Sequence, residues 1–383
     1  MTATAITFPR RGAEEFIRDV KARVTGHFSA TGQSMKADWT MWLKTAILLV
    51  MVFGSYAAIM TNRLSPLTML GLCLVMGVGV AGIGFGISHD ALHGAYSSNP
   101  TVNRALGLTF DVLGANSYMW KLTHNVIHHT YTNIEGVDED IDYAPFLRLS
   151  PHGKYGPQHR FQHLYGFATY SIATLFWVFV KDYKYFLKRD LGPYKNKKHP
   201  ASEVALLVIG KLVHYSWMIV LPLLVLDITW WQFLIGFLTV HLTGGLILGV
   251  IFQLAHVVEG TDYPLPDSTG SMEYTWLLHE MVTTANFAPN NKLLGWYVGG
   301  LNYQIEHHLF PKICSIHYPA ISKIVRATAE EHGVPYNTQP TLRAAIRSHY
   351  RMLKKLGEKP ETASEAAPVA ARWQPAEMTA ERR

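Results

Sequence analysis

The chain has 383 residues, of which 49% are hydrophobic and 16% are charged, and its formal net charge is +6. A charged share this far below the roughly 25% of soluble domains argues against a soluble globular protein. The basic residues cluster beside apolar runs, which the positive-inside rule explains more simply than nucleic-acid binding. The basic cluster after one such run comprises Lys181, Lys184, Lys188, Arg189, Lys195, Lys197 and Lys198. With only Cys73 and Cys314 present, a disulfide framework is not expected.

Residues 1–40 are polar and contain no apolar run of the kind found in a cleavable signal peptide. Apolar residues recur among charges over residues 8–28, at Phe8, Phe16, Ile17, Val20 and Val24. This pattern predicts a cytoplasmic amphipathic segment whose helix lies on the bilayer surface.

Four apolar runs are long enough to cross about 30 Å of hydrocarbon as helices, at residues 42–61, 67–88, 206–227 and 230–255. Short polar breaks within each pair predict tight helical hairpins. A fifth run, 164–180, is shorter and predicts an interfacial or partly buried helix, with a full span as the alternative. We therefore predict an all-α, multi-pass membrane domain over residues 41–340. Residues 341–383 are then the end of a C-terminal helix and a disordered tail.

Charge predicts the orientation of these spans. Nearly all Lys and Arg residues lie in 1–40, 89–205 and 256–383, whereas the hairpin tips contain only Arg63. Both termini and the long middle segment should therefore face the cytoplasm. We expect an integral protein of a bacterial inner membrane.

Histidines cluster at three places in the chain and at the end of the last span. The clustered residues are His89 and His93, then His124, His128 and His129, then His256, and finally His307 and His308 after Gln304. Helical spacing of four places two imidazoles on one face, and a spacing of five turns the third about 100° further. The predicted topology brings all eight histidines to the cytoplasmic side.

This concentration of imidazoles predicts a shared metal site, because ionisable groups at membrane depth are costly unless they are functional. A tetrahedral zinc takes four ligands, so eight imidazoles fit two ions better than one. The carboxylate-rich Glu-x-x-His pattern of soluble di-iron bundles is missing from the sequence.

The residues around these histidines resemble the three histidine boxes of membrane fatty acid desaturases. The matching segments are His89-Asp90-Ala91-Leu92-His93-Gly94, His124–His129 and Asn302–Pro311, and the resemblance covers about residues 10–340. Gln304, which replaces a histidine, is similar to front-end (delta-5/delta-6, linoleoyl-CoA desaturase-like) enzymes. Those enzymes insert a double bond between an existing one and the carboxyl end of the chain.

The resemblance implies a cytoplasmic helical cap that holds two irons and uses O2 to form a cis double bond in an acyl chain. It assigns the eight clustered histidines as iron ligands. Gln304 would bind directly, bind through water, or hold a neighbouring imidazole. The His-Pro-Gly-Gly haem motif of fused cytochrome b5 domains does not occur, so a separate ferredoxin or cytochrome b5 is expected as electron donor.

Other residues are candidates for supporting roles. Asp90, Glu306 and His317 would orient metal-binding imidazoles, and the acidic run Asp138–Asp142 is either a solvated turn or a further set of such partners. Trp120 and Trp276 would line a narrow acyl tunnel or belong to the ordinary core. Lys211 would meet a lipid head group or extend towards the membrane surface.

The substrate could be a membrane lipid, an acyl-CoA or an acyl carrier protein thioester. Two alternative functions remain at this point. One is a lipid hydroxylase or ketolase with the same histidine pattern, because a similar oxidant can add oxygen. The other is a membrane zinc hydrolase or receptor, which a single bound zinc ion would favour.

Overall fold

The computed structural model describes residues 6–143, 145–195 and 197–360, and the described chain is mostly helical with almost no strand. Four helices are long and apolar enough to cross a membrane: Trp39–Met60, Pro66–Leu92, Ala201–Val225 and Trp230–His256, here called spans 1 to 4. The predicted all-α class with four spans is confirmed.

Polar side chains cap the starts of spans 1, 2 and 4. The Ser65 side chain accepts a hydrogen bond from the Thr68 backbone N–H at the start of span 2, and Pro66 takes the first helical position. Thr229 and Gln232 form a reciprocal capping box at the start of span 4. These caps satisfy backbone groups that have no partner within the helix.

Three of the spans contain a five-residue π segment, in which the helical turn is wider than usual. Span 1 consists of Trp39–Leu49, the π segment Val50–Gly54 and Ser55–Met60. Span 2 consists of Pro66–Ile83, the π segment Gly84–Ser88 and His89–Leu92. Span 3 consists of Ala201–Tyr215, the π segment Ser216–Val220 and Leu221–Val225, whereas Trp230–His256 is a continuous α-helix.

Spans 2 and 4 pack closely because glycines face each other. A Cβ atom on Gly77 would lie 2.7 Å from Cβ of Thr243, and one on Gly244 would lie 3.3 Å from the Gly77 carbonyl oxygen. Small residues of this kind let two membrane helices approach along their backbones.

The fifth apolar run belongs to a pair of helical segments, Pro157–Ser171 and Ala173–Leu187, that meet at a bend of 60°. At the bend, the Thr174 hydroxyl donates to the carbonyl oxygen of His241, in the middle of span 4. At one end Gln162 donates to the carbonyl of Leu353, and at the other Lys181 bonds Asp140. We call this element the bent pair; both of its ends contact the histidine-bearing side of the protein.

The bent pair comprises the 3₁₀ turn Pro157–Phe161, helices Gln162–Ser171 and Ala173–Phe176, the π segment Trp177–Lys181 and helix Asp182–Leu187. Between span 2 and the bent pair lie Pro100–Gly107, Thr109–Val112, Ser117–Trp120, the π segment Lys121–His128 and His129–Tyr131. After span 4 come Trp276–Thr283, Lys292–Tyr297, Gln304–Leu309, the 3₁₀ turn Ser315–His317, Tyr318–Glu331 and Leu342–Leu356. These helices outside the spans form a cap over the histidine-bearing ends of the spans.

The N-terminal helix Glu14–Thr31 is amphipathic, as predicted, but its apolar face does not lie on the bilayer. Phe16, Val20 and Val24 are buried in a core shared with helix Tyr318–Glu331. That prediction was wrong because the helix finds a matching apolar stripe within the protein.

The remaining cap elements tie the C-terminal part of the chain to the cap. Strands Asn286–Phe287 and Thr338–Gln339 pair in parallel. Helix Leu342–Leu356 packs on the bent pair and span 4. Most of the predicted disordered tail, residues 361–383, lies outside the described residues.

Candidate metal centre

The eight clustered histidines converge at the junction of the spans and the cap, although they are far apart in the chain. Their ring nitrogens lie within 4.8 Å of one another in two main groups. The first group is His89, His93, His124 and His307; the second group is His128, His256 and His308. His129 lies between them, with its nitrogen close to those of His307 and His308.

The second histidine cluster is positioned by the π segment Lys121–His128. An ordinary α-helix would turn His129 about 100° away from His128. Here the ring centroids of both lie almost equally far from that of His124, at 5.0 Å for His128 and 4.9 Å for His129. The wider turn therefore keeps all three rings in the centre.

The donor atoms suit a metal because they are buried and have no protein partner. The Nε2 atoms without a partner belong to His93, His124, His128, His256, His307 and His308, and His129 has neither ring nitrogen bonded. Unpaired buried polar atoms are costly, so this many in one place calls for a bound ion. Their number fits two ions and exceeds what one tetrahedral zinc takes.

The other ring nitrogen of several of these histidines, Nδ1, contacts a hydrogen-bond acceptor. With the proton on Nδ1, the lone pair on Nε2 is free to bind a metal. Nδ1 of His128 lies 3.0 Å from a carboxylate oxygen of Asp138, and Nδ1 of His308 lies 2.6 Å from one of Glu280. The same nitrogen of His256 lies 3.4 Å from the Thr283 carbonyl oxygen.

The first group has longer contacts of the same kind. The Nδ1 atoms of His89 and His124 lie 3.4 Å from carboxylate oxygens of Asp90 and Asp140, respectively. That of His307 lies 3.2 Å from the Tyr318 hydroxyl.

Burial keeps most of these imidazoles neutral, which is the form that binds metals. Loss of solvation, reinforced by the neighbouring rings, holds the pKa of His129, His307 and His308 well below the usual value. Burial also lowers the pKa of His128, but Asp138 and Asp140 outweigh that effect and raise it.

Among the predicted supporting residues, Asp90 contacts the centre and two others do not. Asp90 is near His89 and also accepts hydrogen bonds from the Ser315 backbone and hydroxyl. Glu306 instead accepts from Asn286 and Tyr336, because its side chain points away from the histidines of its own box. Burial raises the pKa of Glu306 to about 7.

His317 was also predicted to support the centre, and the structure corrects this. Its Nε2 lies 3.1 Å from the Lys36 carbonyl oxygen, and its ring packs against Phe28. The residue therefore joins the N-terminal helix to the cap.

Both predicted tryptophans lie beside the histidines. The Trp120 ring stacks on His124, with centroids 4.4 Å apart, and also contacts His89 and His93. Trp276 donates from Nε1 to the His129 carbonyl oxygen over 2.9 Å. Gln304 is buried at the start of helix Gln304–Leu309.

Lys211 does not meet a lipid head group, contrary to one prediction. Its side chain is buried, and its ammonium lies 2.8 Å from the Asp182 carboxylate. It also donates to the carbonyl oxygens of Gly114 and Val178. These partners leave it no access to the membrane surface.

Glu280 was not singled out from the sequence, although a signal for it exists. Helix Trp276–Thr283 is buried, yet it carries Trp276, His279, Glu280 and Thr283 at spacings of three and four. Such spacing places these polar groups on one helical face. A polar stripe in a buried helix indicates a neighbouring polar site.

The sequence matches the family model described as fatty acid desaturase over residues 64–340. It is 38% identical to the sn-1 linoleoyl-lipid 6-desaturase of Synechocystis sp., over 94% of this chain and 99% of the relative. Identity to the enzyme of the same name from Arthrospira platensis is 37%, over 94% and 97% of the two chains. An acyl-lipid (8-3)-desaturase of Physcomitrium patens is 35% identical, over 90% of this chain and 72% of the relative.

These matches confirm the predicted resemblance, including its relation to front-end enzymes. They also agree with a membrane protein whose histidines are gathered at one site. The chain belongs to the fatty acid desaturase family and is an oxygen-dependent fatty acyl desaturase.

Proposed function

We propose that this enzyme is a front-end acyl-lipid desaturase whose eight clustered histidines hold two irons. The observation that carries the proposal is the convergence of buried, unpaired imidazole nitrogens into two adjacent groups. Imidazole-rich sites suit iron as well as zinc, and the desaturase family implies iron.

The substrate is proposed to be an acyl chain esterified in a membrane lipid, rather than an acyl-CoA or an acyl carrier protein thioester. The relatives named as sn-1 linoleoyl-lipid 6-desaturases align with nearly the whole chain. By this analogy, the new double bond forms on the carboxyl side of an existing one.

The reaction takes two hydrogens from adjacent methylenes, and O2 accepts them together with two electrons and two protons to give two waters. When bound, the irons supply the oxidant that this hydrogen removal requires. The protein supplies the eight imidazoles, keeps most of them neutral by burial, and excludes water from the reacting carbons. Gln304 would hold a ligand or a water near the first group.

Aromatic rings offer a path for the methyl end of the chain. Trp120 packs on Phe110, and Phe110 packs on Trp177. Trp177 lines a cavity of about 30 Å³ that Gly84 and Leu248 also border. A larger apolar cavity of about 300 Å³ lies near the hairpin tips and borders no histidine of the centre. The smaller cavity has room for only about one methylene group, so it marks the far end of this aromatic path and does not itself hold an acyl chain.

Electrons come from a separate carrier, a ferredoxin or a cytochrome b5, which the basic surface of the protein would attract if the carrier is acidic. The histidines and both termini face the cytoplasm, and the membrane is the inner membrane of a bacterium. The charge distribution of the sequence supports this orientation.

The test is to express the chain in a host and profile its fatty acids. The parent protein should give a lipid acyl chain that has lost two hydrogens, and His128→Ala should give none while still inserting in the membrane. His27→Ala, on the N-terminal helix, is the control and should keep full activity. A product that gains oxygen would indicate a hydroxylase, and one zinc ion without iron would contradict the di-iron proposal.

A further inference from the structure

The two histidine groups differ in the strength of the contacts that orient them. In the second group, carboxylates lie 3.0 Å from His128 and 2.6 Å from His308, and both histidines are fully buried. The third member, His256, contacts a neutral carbonyl at 3.4 Å, and in the first group the corresponding distances are 3.2 to 3.4 Å. Short hydrogen bonds to a charged acceptor are about twice as strong as neutral ones.

Much of the orientation of the second group comes from one element, helix Trp276–Thr283. Glu280 contacts His308, and the Thr283 carbonyl oxygen contacts His256. The same helical face also contacts the backbone that follows His128. Trp276 donates to the His129 carbonyl oxygen, and Nε2 of His279 lies 2.8 Å from the Thr132 carbonyl oxygen. This helix therefore contacts two of the three histidines of the second group through their Nδ1 atoms.

Glu280 is the central residue of this face. The carboxylate oxygen that contacts His308 also lies 2.9 Å from the Thr132 hydroxyl. The side chain is completely buried, and it has no lysine or arginine partner among the described residues. Its bond fixes the proton of His308 on Nδ1 and turns Nε2 towards the other two histidines of the group.

We propose that Glu280 is a positioning residue that specifically holds the second metal position, formed by His128, His256 and His308. This inference rests on the proposed metal centre. The second group has three imidazoles, with His129 close to His308, whereas the first group has four. Removing the acceptor bonded to a metal-binding histidine commonly lowers metal affinity about 10- to 100-fold. Loss of Glu280 should therefore empty one position and leave the other filled.

The experiment measures metal ions per chain in full-length protein purified in detergent, together with the Mössbauer spectrum of protein loaded with limiting iron. Glu280→Leu should retain one ion where the parent retains two, and one of two spectral components should disappear. Glu280→Gln keeps an acceptor oxygen, so the number of ions that it retains should lie between those of Glu280→Leu and the parent. Size-exclusion chromatography and thermal unfolding identify variants that remain folded. If Glu280→Leu does not fold, the loss of one ion is measured in the isosteric Glu280→Gln variant instead.

Glu306→Gln is the matched control. Glu306 is equally buried and lies in the third box, but it bonds Asn286 and Tyr336 instead of a histidine of the centre. It should retain both ions. Equal loss of both ions, or no loss in a folded Glu280→Leu protein, would overturn the proposal. If the bound metal is zinc, the proposed function fails, but the ion count of the variants still tests the role of Glu280.

Discussion

Lys211 and Asp182 form an ion pair that is enclosed by the protein. Three oxygen atoms lie within 2.8 Å of the ammonium, and two of them are backbone carbonyl oxygens of other segments. One of these carbonyls belongs to the π segment of the bent pair, where the usual helical hydrogen bonds are disturbed. The lysine thus satisfies backbone groups that an irregular helix leaves free.

Replacing Lys211 by methionine should destabilise the protein, because it leaves the buried Asp182 carboxylate without its cation. Breaking a buried ion pair in this way costs about 3 to 5 kcal/mol. The measurement is thermal unfolding in detergent, with Lys184→Met, an exposed change on the adjacent helix, as the control. Unchanged stability with an altered preference for lipid head groups would restore the role first predicted for this lysine.

For single residues, the sequence predicts the metal-binding histidines better than it predicts the residues that orient them. His89 and His93, or His124 and His128, are recognisable because ligands of one cluster lie one helical turn apart. Glu280 is distant in sequence from His308, so only tertiary structure brings them together. Glu306 shows the opposite error, since closeness in sequence placed it beside ligands that its side chain does not contact.

Among the elements, the bent pair depends on glycines in span 4. A Cβ atom on Gly245 would collide with the Ser171 carbonyl oxygen, and one on Gly249 would lie 2.7 Å from the Tyr170 Cβ atom. These glycines allow the bent pair to lie directly on the backbone of the span.

Gly245→Val should therefore separate the bent pair from span 4 and lower stability, by about 1 to 3 kcal/mol as for other overpacked sites. Gly71→Val in span 2 is a suitable control, because a Cβ atom there meets nothing within 4 Å. Thermal unfolding of the two variants should differ clearly. Equal melting temperatures would show that the contact tolerates a larger residue.

Sequence periodicity predicts the long helices and misses their partners. The run 164–180 is predicted to be interfacial or partly buried, and it packs on span 4 with part of its surface exposed. The N-terminal helix is predicted to lie on the bilayer but is covered by protein, because an apolar stripe alone does not reveal what covers it. The N-terminal stripe is covered by Ile321 and Val325, about 300 residues later in the chain. Cap helices such as His129–Tyr131 are too short for periodicity to identify.

For the whole molecule, the contacts agree with the topology inferred from charge. The two hairpin tips meet at one end, where the Asp227 backbone N–H donates to the Asn62 side chain. The histidines and the cap lie at the other end. The number of spans is even, and both ends of the bent pair contact the cap. All three histidine boxes therefore lie at the same end of the protein.

Cysteine labelling in intact cells tests this orientation. A membrane-impermeant maleimide should label Arg63→Cys, at a hairpin tip, from outside the inner membrane. Lys354→Cys, exposed on the C-terminal helix, should react only after the membrane is permeabilised. The parent chain, with Cys73 and the buried Cys314, gives the background. The reverse labelling pattern would contradict a cytoplasmic active site.

The π segment Gly84–Ser88 ends immediately before His89, so it sets the rotational phase of the first box. Deleting one residue from the regular α-helical part of this span, Pro66–Ile83, would rotate every following side chain by about 100°. His89 and His93 would then face away from the other histidines, although the span would still be long and apolar enough to insert. The bilayer thus sets only a minimum length for this helix, whereas the metal centre requires a fixed number of residues before His89.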